Sequence, residues 1–374
     1  MKWIFWISLA VLVYTYAGYP AWLWVRGRFR RRALRTSEWT PPVSIIMVVR
    51  NEAEVLESKL QNLMSLDYPP QLCEIIVVSD GSTDETDDIL RRYLDNPTMR
   101  IVSHPQSRGK AAGLNDAIAI AKGELVLFTD ARQKIEAGAL RLLVKCFADP
   151  EVGCASGELM LGDPASGEAV RGMGLYWRIE KTIREMESAS GSVVGATGAI
   201  YVAKRSLLPQ LPQGTILDDV YIPMHVARQG FRVVFVPSAW AWDVVDRGTE
   251  REFSRKVRTL GGNYQLVQLA PWLLSSANPL RFEFISHKLM RLFAPFALAM
   301  VFVASLLLAG HGLYRAVFVV QLAFYMLSLL AMVKLPKSRL ARLADAAWTF
   351  VVLNSAALVA FVKFVTGRRV AWVR

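Results

Sequence analysis

The chain has 374 residues, a formal net charge of +12 and 53% hydrophobic residues. Six arginines between positions 26 and 35 equal half of that excess charge, which favours a basic flank beside a membrane anchor and argues against a nucleic-acid surface. The three cysteines are scattered and no pair has metal-ligand spacing, so they are expected to be small core residues of a cytoplasmic domain.

An uncharged run of 23 residues, Trp3–Val25, opens the chain and is long enough to cross a bilayer. A cleaved signal peptide is the alternative, but its apolar part would be too long, and Tyr19–Trp22 is a poor cleavage site. The arginine-rich flank predicts that the following part of the chain stays on the cytoplasmic side. We therefore expect a transmembrane anchor with its basic flank over residues 1–35.

Residues 36–262 are predicted to form one cytoplasmic α/β domain, because strand-like and helix-like segments alternate there. The predicted strands are Val43–Val49, Glu74–Val78 and Glu124–Phe128. Asp80 and Asp130 follow the second and third of these strands. Ligands of open α/β sheets bind at the carboxyl ends of the strands, where two carboxylates would suit a nucleotide and a cation.

Helix signals accompany these strands. A helix is predicted from Ala53, and Ser82 or Thr83 is expected to cap the helix after the second strand. Asp130 could instead cap a helix that starts near Glu136, which is the structural alternative to a ligand contact.

The end of the chain is predicted to lie on and in the membrane. Residues 263–290 are expected to form interfacial amphipathic helices, with a core helix as the alternative for Tyr264–Ser276. Three apolar runs in residues 291–374 predict three further spans: Leu292–Gly310, Ala316–Val333 and Ala346–Val362.

The predicted topology is multi-pass and has one conflict. It places the basic loop Lys334–Arg339 in the cytoplasm, as the positive-inside rule requires. It also places the basic tail Gly367–Arg374 outside. A short or interfacial final helix would remove this conflict.

Seven segments occur in a fixed order along the domain: VSIIMVVRNE, EIIVVSDGSTDET, RGKAAGLNDAI, ELVLFTDA, GATGAIYVAKRSLL, ILDDV and RKVRT. This series resembles that of membrane-bound inverting glycosyltransferases of family 2, the group similar to cellulose, chitin and hyaluronan synthases and ceramide glucosyltransferase. The resemblance covers about Val43–Gly262. It implies a Rossmann-like GT-A domain that binds a nucleotide-sugar, with transmembrane helices at both ends.

The resemblance also implies a donor site. Asp80 matches the aspartate that contacts the nucleoside, with Asn51 and Glu52 beside it. Lys110 matches a basic residue near the base and phosphates, and its point charge suits a diphosphate. Asp130 matches the first aspartate of the DxD motif, which binds Mg²⁺ or Mn²⁺.

Two motif positions depart from the family pattern. Arg132 stands at the second aspartate of DxD, so either Asp130 alone anchors a metal completed by diphosphate and water, which we favour, or Arg132 partly replaces the metal. In the QxxRW motif, Arg255 stands at the glutamine, Arg258 at the arginine that contacts the diphosphate, and Thr259 at the tryptophan. The missing tryptophan weakens the expectation of a long-chain synthase.

The acceptor side is implied by two further segments. Asp219 matches the general base that removes a proton from the acceptor hydroxyl, and Asp218 is the runner-up. A cap for the helix Val220–Gln229 is the alternative for the pair, and it suits Asp218 better. Thr197 and Gly198 belong to a loop that resembles the floor of the acceptor pocket, although a plain turn fits almost as well.

The expected function is sugar transfer from a nucleotide-sugar, with UDP as the expected nucleotide, to a growing polysaccharide or a lipid at the cytoplasmic face. Membrane lipids are expected partners and nucleic acid is not. A catalytically degenerate GT-A scaffold subunit of an envelope assembly is the alternative, and the membrane spans disfavour a sugar nucleotidyltransferase.

Overall fold

The computed structural model describes residues 1–162, 175–243, 249–333 and 338–367. Its described strands form one eight-stranded sheet in the order β3-β2-β1-β4-β7-β6-β8-β5. The strands are β1 (Val43–Val49), β2 (Cys73–Asp80), β3 (Met99–His104), β4 (Leu125–Phe128), β5 (Lys134–Ile135), β6 (Val152–Leu161), β7 (Tyr201–Lys204) and β8 (Arg232–Asp243). The α/β class and all three predicted strands are confirmed.

The first four strands run parallel, and the sheet becomes mixed where β7 pairs antiparallel with β4. Every residue of β1 is buried, as expected for a strand covered by helices on both faces. Two apolar clusters, one on each face, form the core.

The described helices are α1 (Lys2–Val13), α2 (Tyr19–Phe29), α3 (Ala53–Met64), α4 (Thr86–Arg91), α5 (Lys110–Ile120), α6 (Ala139–Val144), α7 (Leu175–Ser190), α8 (Asp218–Arg228), α9 (Thr249–Leu269), α10 (Arg281–Phe284), α11 (Met290–Leu307), α12 (Gly312–Leu330) and α13 (Arg339–Val365). Short 3-10 and π turns join several of them. Leu56, Leu60 and Leu63 bury one face of α3, as its apolar spacing predicts.

The predicted helix caps were wrong. Helix α4 begins only at Thr86, because the Ser82 hydroxyl and the Thr83 amide bond to the Asn51 loop instead. Asp130 caps no helix, since α6 begins at Ala139.

For Tyr264–Ser276 the structure supports the core alternative, and the interfacial position of residues 263–290 stays a prediction. Helix α9 passes through the expected boundary at 262/263 and ends at Leu269. Leu266 and Leu273 are fully buried in the cluster that covers the sheet. This segment therefore belongs to the packed domain.

Four helical stretches are long and apolar enough to cross a membrane: Lys2–Phe29, Arg281–Leu307, Gly312–Leu330 and Arg339–Val365. They coincide with the four predicted spans, each with shifted ends. Residues 334–337 of the predicted basic loop and residues 368–374 of the tail lie outside the described residues.

A buried polar cluster joins two of these stretches to the α/β domain. The Tyr19 hydroxyl donates to Oε1 of Glu187 on α7 over 2.6 Å, and His287 Nδ1 lies 2.8 Å from the same oxygen. His287 Nε2 lies 3.0 Å from Glu180, which also accepts a bond from Arg291 at 2.5 Å. Helix α7 is thereby fastened to both stretches.

Candidate active site

Three carboxylates surround one lysine at the carboxyl edge of the sheet. Lys110, the first residue of α5, places its Nζ 2.9 Å from Asp130 Oδ1 and 3.1 Å from Asp218 Oδ1. Asp130 follows β4, and Asp218 and Asp219 begin α8. The cap proposed for Asp218 was wrong, since Leu217 is the cap residue and the Asp218 carboxylate bonds to Lys110.

The cluster shifts the pKa of each buried member. Burial opposes the charge of Lys110, but Asp130 and Asp218 outweigh it and raise its pKa. Burial raises the pKa of Asp218, an effect that Lys110 partly offsets. Burial, with the neighbouring Asp218 charge, raises the pKa of Asp219 to about 6. Asp219 is therefore a stronger base than an ordinary aspartate.

Gly198 lies between the two sides of the cluster. Its amide donates to Asp219 Oδ2 over 3.2 Å. A methyl group at this glycine would lie 3.4 Å from both Asp130 Oδ2 and Asp219 Oδ2. The absence of a side chain therefore keeps the space between the Asp130 and Asp219 carboxylates open.

The Asp80 carboxylate is buried and accepts bonds from three groups of one loop. These donors are the Ser107 hydroxyl at 2.7 Å, the Arg108 amide at 2.7 Å and the Gly109 amide at 2.9 Å. Asp80 thus holds the loop that leads into Lys110. Its contact with a nucleoside stays a prediction.

Asn51 and Glu52 lie at the neighbouring strand end. Asn51 has a left-handed backbone (φ 55°), and its side-chain oxygen accepts the Thr83 amide at 2.6 Å. The Glu52 amide donates to the Thr86 hydroxyl over 2.9 Å. These bonds join the loops that follow β1 and β2.

Arg255 and Arg258 lie on α9. Gly262 and Gln265 continue the same helix face, where Gln265 donates to the Gly214 carbonyl and accepts from the Ile216 amide. That face therefore packs against the segment that leads into Asp218. Direct contact of the arginines with a diphosphate stays a prediction.

Two residues of α3 that the sequence analysis missed hold the loop of Asp130. Buried Lys59 donates to the Thr129 hydroxyl at 2.8 Å and to the Gln133 carbonyl at 2.6 Å. Asn62 exchanges two bonds of 2.8 Å with Ile135. The available signal was a lysine within the apolar stripe of an amphipathic helix.

Helix α7 supplies another missed contact. Arg184 donates to the buried Ser156 hydroxyl over 2.7 Å, and that hydroxyl accepts the Thr197 amide at 3.0 Å. The loop of Thr197 and Gly198 is therefore braced from α7. No motif identified this arginine.

Few side chains of the site could bind a metal ion. The described residues include no group of three or more His, Cys, Asp or Glu side chains that could hold one. Asp130 keeps 41% of its side chain exposed, while Arg132, also exposed, provides no ligand. These residues fit a cation that one carboxylate shares with a diphosphate, and they do not form a complete protein site.

Comparison with known proteins identifies the fold and the family of the domain. A family model described as glycosyl transferase family 2 matches residues 44–211. The chain is 25% identical over 234 residues to a poly-beta-1,6-N-acetyl-D-glucosamine synthase from Staphylococcus epidermidis, which covers 62% of this chain and 56% of the relative. A synthase of the same name from Staphylococcus aureus strain COL is 24% identical over 229 residues, covering 60% of this chain and 55% of that protein. The match thus spans about half the length of these relatives.

Among solved structures, a mannosyltransferase from Pyrobaculum calidifontis in complex with GDP-Man and Mn²⁺ has a TM-score of 0.73 at 24% identity, covering 98% of this chain and 100% of that one. The mixed sheet, with a carboxylate cluster at its edge, is that of a GT-A-type glycosyltransferase domain. Residues 44–211 match glycosyl transferase family 2, and the expected resemblance is confirmed.

Proposed function

We propose that the protein transfers a sugar from a nucleotide-sugar to a growing polysaccharide or a membrane lipid, with inversion at the anomeric carbon. The observation that carries this proposal is the cluster of Lys110, Asp130, Asp218 and Asp219 at the carboxyl edge of the sheet. The similarity to polysaccharide synthases supports it. UDP is the expected nucleotide.

The donor would occupy the side of Asp130 and Lys110. The Lys110 ammonium can shift from Asp130 to the diphosphate while it keeps its pair with Asp218, and Arg255 and Arg258 would add positive charge from α9. Asn51, Glu52 and Asp80 would border the nucleoside, with Asp80 acting at least through the loop that it holds.

A divalent cation, Mg²⁺ or Mn²⁺, would be held by Asp130 together with diphosphate oxygens. When bound, it would neutralise charge on the leaving nucleoside diphosphate. The Mn²⁺ in a solved protein of the same fold is consistent with this proposal. Lys59 and Asn62 would keep the Asp130 loop in place.

The acceptor would enter on the side of Thr197, Gly198 and Asp219. Asp219 would take the proton of the acceptor hydroxyl while its oxygen attacks the anomeric carbon. The new glycosidic bond forms as the bond from that carbon to the diphosphate breaks, and the bonding electrons leave with the phosphate oxygen. Asp218 would remain paired with Lys110 and orient the site.

The four candidate spans would keep the protein in the cell membrane as a multi-pass protein. The arginine-rich flank at residues 26–35 supports a cytoplasmic catalytic domain. Protease accessibility in spheroplasts and in inverted vesicles checks this. Cleavage between β1 and α9 from the outside of intact spheroplasts would contradict it.

The test of the proposed function is incubation of purified protein with a panel of nucleotide-sugars and native membrane lipids. We expect one donor to give free nucleoside diphosphate and a glycosylated product in the mass spectrum. The second candidate function is a catalytically degenerate scaffold, because Arg132 stands where the family pattern has a second aspartate. Binding of nucleotide without release of diphosphate from any donor would favour that candidate.

A further inference from the structure

A groove of about 290 Å³ lies between the end of α2 and the last turns of α7. None of its described lining residues belongs to the carboxylate cluster of Lys110, Asp130, Asp218 and Asp219. Its lining residues are Leu23, Trp24, Gly27, Arg28, Arg31, Met186 and Ala189.

The groove concentrates positive charge. Arg28 and Arg31 are both exposed, and among the described residues neither has an ion pair or a side-chain hydrogen bond. By contrast, their neighbour Arg26 pairs with Glu283. None of the described lining residues is acidic, so two guanidinium groups share the groove without a counter-charge. A phosphate group would relieve their repulsion, because guanidinium binds phosphate oxygens bidentately.

The groove lies at the basic end of the candidate span Lys2–Phe29. Trp24, 64% exposed, stands at this end, where tryptophan is enriched at the level of lipid headgroups. The partly exposed Met186 adds apolar surface on which the upper part of an acyl chain can lie. The Gly27 side of the groove is open, since a methyl group there would meet no atom within 4 Å.

We propose that this groove binds the phosphate headgroup of an anionic membrane phospholipid. The proposal rests on the part of the proposed function that places the chain in a membrane. A bound lipid would bridge α2 and α7, and α7 also braces the Thr197 loop through Arg184. The lipid would therefore fix the catalytic domain relative to the bilayer.

Native mass spectrometry of the full chain, released from nanodiscs of phosphatidylglycerol or phosphatidylcholine, tests the proposal. We expect wild-type protein to retain one phosphatidylglycerol and no phosphatidylcholine. Arg28→Gln/Arg31→Gln should weaken retention about 25-fold, since each arginine near an anionic headgroup contributes roughly fivefold. Arg30→Gln/Arg35→Gln, which removes the same charge from residues that do not line the groove, should weaken retention much less.

Two further experiments define the ligand. Gly27→Leu keeps the charge and fills the groove, so it should also release the lipid. Inorganic phosphate at millimolar concentration should not displace it, because the acyl chain contributes to binding. Equal loss in the two double variants, or equal retention of both lipids, would overturn the proposal. If carbonate extracts the protein from membranes, the premise that the chain lies in a membrane is overturned. Release of nucleoside diphosphate, measured separately, tests the catalytic proposal alone.

Discussion

Lys110 supplies one positive charge to a cleft that holds three carboxylates. The excess of negative charge in the cleft affects both Asp219 and an entering diphosphate. Burial, together with the unshared negative charge, raises the pKa of Asp219, and a diphosphate that enters the cleft adds further negative charge. A divalent cation at Asp130 would offset this repulsion, even though Arg132 removes a second carboxylate ligand.

The raised pKa of Asp219 predicts the acid limb of the pH profile. A general base works only when it is deprotonated, so kcat/KM should fall about tenfold per pH unit below about pH 6. An ordinary aspartate would place this limb near pH 4. Initial rates between pH 4.5 and 8 measure it, with the fold monitored by circular dichroism, and a profile flat down to pH 5 would exclude Asp219 as the base.

Arg132 predicts weak metal binding in the absence of nucleotide. Excess EDTA should stop transfer, and Arg132→Asp should tighten Mn²⁺ binding by the free protein because it restores a second carboxylate. Lys134→Asp, at a nearby exposed position, is the matched control for charge. If transfer continues in EDTA and Arg132→Ala harms it more than Asp130→Ala does, the arginine itself stabilises the leaving group.

Lys59 predicts a defect in donor binding. Lys59→Met keeps the length of the side chain and removes the two bonds to the Asp130 loop, so the KM for the nucleotide-sugar should rise about tenfold. Burial lowers the pKa of this lysine to about 7, so removing it also removes a desolvation cost. We therefore expect Tm to fall little. An unchanged KM, as expected for the exposed control Lys122→Met, would assign Lys59 to packing alone.

At the scale of elements, the strands could be predicted from sequence and several helix ends could not. The parallel strands are buried on both faces and appear as continuous apolar runs, so β1 was predicted to the residue. The caps of α4 failed because Ser82 and Thr83 bond to Asn51, more than thirty residues away. Local patterns do not contain such partners, and the same reason hid Lys59 and Arg184.

Helix α7 shows a second limit of sequence analysis. It carries no recognised motif, yet Glu187 connects it to Tyr19 and His287. Burial disfavours the charge of Glu187, but His287 outweighs this effect and lowers the pKa of the carboxyl. A contact of this kind becomes visible only when the candidate membrane helices and the domain are seen together.

Loss of this carboxylate predicts a large loss of stability. Glu187→Leu leaves His287 beside Glu180 alone and removes the acceptor of Tyr19, so stability should fall by about 3–5 kcal/mol. Thermal unfolding in detergent measures the change, with Glu185→Leu at an exposed position of the same helix as control. Equal melting temperatures for the two variants would mean that the cluster does not fasten α7.

At the scale of the whole molecule, the four apolar stretches could be predicted because hydropathy is a local sum. The packing of these stretches against the domain could not be predicted from sequence. Contacts from Tyr19, His287 and Arg291 hold α7, and α7 braces the loop beside Asp219. The candidate membrane helices and the carboxylate cluster therefore form one connected structure, which suits the proposed delivery of an acceptor from the bilayer.

The release of nucleoside diphosphate by Asp219→Asn tests the central claim most directly. The amide keeps the size of the side chain and loses the proton acceptor, so turnover should fall by about two to four orders of magnitude while the donor Kd stays within about threefold. Asp218→Asn serves as the matched variant, and it should mainly disturb Lys110 and donor binding. Full turnover by Asp219→Asn, with loss of turnover at unchanged donor affinity in Asp218→Asn, would contradict the account and assign the base to Asp218.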